Sequence, residues 1–141
     1  MLEAVLRKRA KALALILFLS VFLTATMASA ATRFIRADEG GAVRITSGAW
    51  LIIPAGSLEE NTLISANMKR THNYLYFRFN PSGTVFDPDK PAQLCLAWWR
   101  LQGLESFVLY GKDGSEVTPE FRWWGVKYNV DHFSLYYFRR R

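Results

Sequence analysis

The sequence predicts an all-β fold, an antiparallel β-sandwich of about eight strands preceded by a helical signal peptide. Three observations carry this reading: runs rich in β-branched and aromatic residues recur about every ten residues, turn-forming residues separate them, and apolar side chains alternate along several of them.

The leader comes first. Arg7, Lys8, Arg9 and Lys11 precede an uncharged apolar run over residues 12–30 that closes on Ala28-Ser29-Ala30. A charged segment, an apolar segment and small residues at the cleavage position define a secretion signal, so the mature chain is expected to start at Ala31, in the periplasm or outside the cell. The alternative is a retained anchor, because the apolar run approaches the roughly 20 residues that span a bilayer. Membrane contact is expected only in that case. No cysteine lies near the junction, which argues against a lipoprotein.

Residues 31–141 are enough for one core, read as a lead-in over 31–39 and one domain over 40–141. Four basic residues and one acid of the chain's +6 lie in the leader, which leaves +3, and three of those charges are Arg139, Arg140 and Arg141. The basic balance therefore does not point to nucleic acid, and the terminal triplet reads as a solvated tail. Cys95 is the only cysteine, so no internal disulfide can form and stability must come from apolar burial.

Strands are expected at 42–45, 49–53, 62–68, 74–79, 93–99, 107–110, 121–130 and 133–138. The first two are bounded by Gly40-Gly41, Ser47-Gly48 and Pro54-Ala55-Gly56. Leu75, Phe77 and Phe79 then alternate with Tyr74, Tyr76 and Arg78, the mark of a half-buried strand, and Leu94, Leu96 and Trp98 repeat it. Asn80-Pro81-Ser82-Gly83, Asp87-Pro88 with Pro91, and Lys112-Asp113-Gly114 supply the later turns. In the last two strands the apolar parity moves from Val126, Tyr128 and Val130 to Phe133, Leu135 and Tyr137. That shift predicts a bulge or bend near Asp131-His132.

Gly40-Gly41-Ala42-Val43, Leu51-Ile52-Ile53-Pro54-Ala55-Gly56-Ser57-Leu58 and Thr62-Leu63-Ile64 together resemble the opening of the ZU-five domain of zonula occludens proteins, netrin receptors and ankyrins. Residues 79–86, with Pro91 and Leu94, resemble the loop and strand that follow in that family, and Val130-Asp131-His132-Phe133-Ser134-Leu135-Tyr136 its closing strand. The resemblance implies a β-sandwich used for protein contact or as a structural module, here small, exported and standing alone. Residues 101–120 fit the family pattern least. No partner transfers with the likeness, because fold analogy does not supply function.

His132-Phe133-Ser134 resembles the tripeptide at which some members of the family cut their own backbone. Imidazole would take the hydroxyl proton, and the Ser134 oxygen would attack the Phe133 carbonyl, so Phe133–Ser134 would be the scissile bond. Such attack needs a distorted peptide. The preferred reading is that His132 and Ser134 satisfy backbone groups at the bend, and that the protein is not an enzyme.

Five tryptophans, Trp50, Trp98, Trp99, Trp123 and Trp124, are many for this length. Adjacent strand residues face opposite ways, so the pairs Trp98/Trp99 and Trp123/Trp124 are each expected to divide between core and surface. The exposed members then serve either packing or contact with a sugar or protein. Two histidines and one cysteine, far apart, form no zinc pattern, and the aspartates lack the spacing of a calcium loop. No cofactor is expected. The partner is expected to be another protein or a component of the cell envelope.

Overall fold

The computed structural model describes residue 3 and residues 30–141, so the expected signal peptide lies outside the described residues. Eleven strands form: β1 (Ala31–Ile35), β2 (Gly41–Thr46), β3 (Ala49–Ile53), β4 (Thr62–Arg70), β5 (Tyr74–Asn80), β6 (Ala92–Ala97), β7 (Leu109–Gly111), β8 (Glu116–Val117), β9 (Glu120–Arg122), β10 (Gly125–Val130) and β11 (Leu135–Arg139). A 3-10 turn covers Trp98–Leu101. They pair antiparallel into a six-stranded sheet, β1-β4-β5-β11-β7-β8, and a five-stranded sheet, β2-β3-β6-β10-β9. This is the expected antiparallel sandwich.

Alternation decides which faces meet. Leu75, Phe77 and Phe79 of β5 and Tyr136 and Phe138 of β11 point inward from one sheet; Leu51 and Ile53 of β3, Leu94 and Leu96 of β6, and Val126, Tyr128 and Val130 of β10 point inward from the other. The layers meet in a continuous aromatic seam. Tyr128 stands edge-on to Phe138 with ring centroids 5.4 Å apart, and Phe138 is edge-on to Phe77 at 6.1 Å. Each such fully buried side chain stabilises the fold by about 1.5–3 kcal/mol relative to exposure.

Several sequence expectations need correction. Residues 31–39 are not merely a lead-in, since β1 pairs residue for residue with β4 from Ala31↔Ala66 to Ile35↔Thr62. The expected strand 121–130 is a hairpin, β9 turning at Trp123-Trp124 into β10. The expected strand 93–99 ends at Ala97, where the 3-10 turn begins. The parity shift near His132 comes from the chain crossing between sheets, β10 lying in one and β11 in the other, and β11 buries Tyr136 and Phe138 rather than Leu135 and Tyr137.

The basic C-terminus is no solvated tail. Arg139 belongs to β11, the Arg140 backbone N–H donates to the Asn73 carbonyl at 2.8 Å, and that of Arg141 to the Gly103 carbonyl at 3.0 Å. The Arg140 guanidinium also donates from Nη1 to the carbonyls of Thr71 and His72, stapling the β4–β5 turn. Replacing Arg140 by Ala is predicted to cost about 1–3 kcal/mol, because the charge-assisted bond to the part-buried Thr71 carbonyl is lost with the exposed one to His72. Arg141→Ala keeps its backbone bond and is predicted to leave stability unchanged. Thermal melts of the two variants check this; equal melting temperatures would contradict the staple.

Candidate functional site

The strands run between two ends, and each carries one of the residue sets picked out in the sequence. At the first end lie the β2–β3 turn, the β4–β5 turn, the 3-10 turn, the β9–β10 turn and the C-terminus. At the opposite end the chain crosses from β10 to β11 through Asp131, His132, Phe133 and Ser134.

The first end is aromatic. Trp98 and Trp99 leave β6 on the 3-10 turn, Trp123 and Trp124 form the tip of the β9–β10 hairpin, and none of the four lies in a strand. The expected division of each pair between core and surface therefore does not occur: Trp98, Trp99 and Trp123 are exposed, Trp124 is half-buried, and none belongs to the core. Trp98 is nonetheless held firmly. Its Nε1–H donates to the Trp123 carbonyl at 2.9 Å, its ring stacks on Phe121 with 8° between planes, and Phe107 closes the group edge-on to both.

From this platform the Trp123 indole projects, 91% exposed. At the β2–β3 turn, Trp99 lies under the Arg100 guanidinium, 4.4 Å from the ring centroid. Arg100 in turn donates from Nε to the Ser47 carbonyl at 2.6 Å and from Nη2 to Thr46 Oγ1 at 3.2 Å. Gly48 makes room for this arrangement. Its φ is +78°, and a Cβ there would sit 2.5 Å from the Trp99 ring.

Phe107 and Phe121 were not among the site residues expected from sequence. The signal was present in Phe121-Arg122-Trp123-Trp124, where three aromatics crowd four positions and a two-layer core can take only alternate ones.

The opposite end holds His132 and Ser134, which together with Lys112 and Asp113 line one open depression of about 390 Å³. His132 Nδ1 stands 2.6 Å from Asp131 Oδ1, and the His132 carbonyl accepts a bond from Tyr136 Oη at 2.7 Å. The Phe133 N–H donates to the Thr84 carbonyl at 2.7 Å, and the Phe133 carbonyl accepts from the Gly83 N–H at 3.0 Å. The Phe133 ring is buried against Phe79 and Phe86, with centroids at 5.5 and 4.9 Å. The Phe133–Ser134 peptide is trans, and no non-glycine residue among those described has positive φ. The crossover is thus ladder-bonded backbone with its central side chain anchored in the core.

The remaining chemistry-bearing groups are isolated. Cys95 shares the outer face of the five-stranded sheet with its cross-strand partners Trp50 and Lys127, and is buried there. Burial pushes its thiol pKa up to about 11, partly offset by the Lys127 charge. Among the described residues no three His, Cys, Asp or Glu side chains are placed to hold a metal ion. No helix among them is long and apolar enough to cross a membrane.

Comparison with protein-family models, curated proteins and solved structures finds no match.

With its pKa near 11, Cys95 is held as the unreactive thiol at neutral pH. Alkylation of the folded protein by iodoacetamide at pH 7.5 is predicted to run at least about tenfold slower than in denaturant, and to accelerate as pH approaches that value. Equal native and denatured rates, followed by mass spectrometry, would contradict the burial.

Proposed function

We propose that this is an exported binding module that acts by contact with another protein or a cell-envelope component, and that the aromatic end is its contact surface. The observation that carries the reading is Trp123, which projects almost fully into solvent from a platform locked by the Trp98 hydrogen bond and the Trp98–Phe121–Phe107 packing. A clustered apolar surface of this kind costs solubility and marks an interaction site. Tryptophan and arginine are the side chains that dominate binding hot spots, and Trp98, Trp99, Arg100 and Trp123 all lie at this end of the sandwich. A rigid platform also lowers the entropy lost on association.

The ZU-five resemblance supports the same reading, since domains of that kind serve contact rather than turnover. Carbohydrate binding through the tryptophans is the less favoured use of this surface. Trp98 stacks on Phe121 and Trp99 lies under the Arg100 guanidinium, so each already has a ring face engaged within the protein.

A second reading, self-cleavage between Phe133 and Ser134, is supported by His132 and Ser134 sharing one depression and by the Gly83 N–H on the Phe133 carbonyl, where charge would develop during attack. The Ser134 oxygen would add to the Phe133 carbonyl carbon, the amide nitrogen would leave with a proton, and water would hydrolyse the ester. It ranks second because the hydrogen bonds flanking a trans peptide favour an intact strand entry over a strained one.

Trp123→Ala is predicted to weaken capture of the module's partner from envelope extract at least about tenfold while leaving the melting temperature unchanged. Neutral oligosaccharides are predicted to leave tryptophan fluorescence flat. Equal capture by both proteins would sink the proposal, and a saturating quench lost in Trp123→Ala would transfer the surface to carbohydrate. For the second reading, denaturing mass spectrometry is predicted to give one intact species. A peptide of residues 134–141 would make self-cleavage the primary reading.

A further inference from the structure

The outer face of the six-stranded sheet carries an ordered set of side chains that neither reading above employs. Strand register arranges it in rungs. Asn67, Arg78 and Leu135 lie opposite one another on β4, β5 and β11; the next rung is Lys69, Tyr76, Tyr137 and Tyr110; the next pairs Tyr74 with Arg139. Successive rungs are about 7 Å apart, two residues along a strand.

Each rung thus holds one cation. None of Lys69, Arg78 and Arg139 has a carboxylate within salt-bridge distance among the described residues, the five ion pairs lying elsewhere. The one acid on these rungs is Glu116, at the far edge opposite Tyr110.

Between the cations the tyrosines form a continuous band. Tyr74 meets Tyr137 edge-on at 5.6 Å, Tyr110 stacks on Tyr137 at 5.4 Å, and the Arg139 guanidinium lies 4.8 Å from the Tyr110 centroid. At one end of the band a depression of about 470 Å³ is lined by Asn67, Lys69, Tyr76, Arg78 and Leu135, without a carboxylate. Its apolar surfaces are the Leu135 side chain and the Tyr76 ring; its polar ones are an amide, an ammonium, a guanidinium and a phenol.

We infer that this depression binds an anionic sugar residue, one bearing a carboxylate or phosphate, presented by an envelope glycan that continues along the tyrosine band. The Arg78 guanidinium can take a carboxylate or phosphate in two parallel hydrogen bonds, and Lys69 adds a second positive charge. Asn67 and the Tyr76 hydroxyl suit ring hydroxyls, and Leu135 with the Tyr76 ring suits the apolar face of a pyranose. An acidic peptide fits less well. Acidic peptides are recognised by clusters of arginines or by strand addition at a free sheet edge, whereas Arg78 is the one arginine lining the depression and β5 and β11 are paired on both sides. Single-stranded nucleic acid stacks successive bases on a row of open aromatic faces, and the depression offers the one ring of Tyr76, while Tyr74 and Tyr110 lean on or stack against Tyr137.

The test is calorimetric titration of the purified protein with five probes: oligogalacturonate and a phosphorylated oligomannose as the two anionic sources, neutral oligomannose, and an oligonucleotide and a polyglutamate peptide of matching charge. At least one anionic sugar is expected to bind, more weakly as salt rises, and whichever binds identifies the source of the charge. Arg78→Gln and Lys69→Gln are each expected to lose at least about tenfold in affinity with an unchanged circular dichroism spectrum. Arg44→Gln, which removes an exposed cation from the other sheet, is expected to bind as the wild type does. Amide shifts in the unsubstituted protein are expected to concentrate at Asn67, Tyr76, Arg78 and Leu135, which reads the site without any variant. Failure of both anionic sugars, equal binding of the neutral one, tighter binding of the oligonucleotide or peptide, or shifts elsewhere would overturn the inference.

Discussion

The aromatic seam between the two sheets is the interaction on which the rest depends. A single cysteine forbids an internal disulfide, so what holds two separate sheets together is the burial of one face of each. Tyr128 from one layer and Phe138 from the other meet at the centre, and Phe133 with Phe79 and Phe86 closes the end where the chain crosses over. Even the polar groups of the seam serve the packing. Tyr128 Oη donates to the Phe107 carbonyl at 2.5 Å and Tyr136 Oη to the His132 carbonyl, so each buried ring also fixes a loop.

That division of labour explains where function can reside. Residues committed to the seam leave the outer faces and the two ends free to vary, and the exposed aromatic and cationic groups sit there. Tyr128 links the two regions directly, because the carbonyl it holds belongs to Phe107 of the exposed platform. The exposed aromatic platform is therefore fastened to the core, the preorganisation that the proposed contact role calls for. The crossover at His132 is tied differently, through backbone bonds to Gly83, Thr84 and Phe86 and through the buried Phe133 ring.

Much of this was legible in the sequence, and the misses have physical causes. Strand β5 announced itself by alternation, with Leu75, Phe77 and Phe79 in the core and Tyr74, Tyr76 and Arg78 on the outer face, and β6 by Leu94 and Leu96, whereas β3 was legible from the turns that bound it. Strand β1 did not, since Thr32, Arg33 and Phe34 are all exposed at a sheet edge and only Ile35 is buried. Its Arg33 reaches across to the Ala42 carbonyl of the other sheet, a pairing that no local pattern encodes. Strand β8 is only two residues long. The β9–β10 hairpin was hidden because Trp123 and Trp124 carry high strand propensity yet occupy a turn; a Cβ on the adjacent Gly125 would lie 1.9 Å from the Leu96 carbonyl oxygen, so glycine there lets β10 lie against β6. The tryptophans were legible as candidates, but their platform was not: Phe107 and Phe121 reach Trp98 only through tertiary packing.

The central claim is that two sheets face one another through this seam, and nuclear Overhauser effects between ring protons test it most directly. Tyr128 and Phe138 lie in different sheets with centroids 5.4 Å apart, so the account predicts a strong cross-peak between their rings. A well-resolved spectrum in which Tyr128 shows contacts within its own sheet and none to Phe138 or its neighbour Phe77 would contradict it.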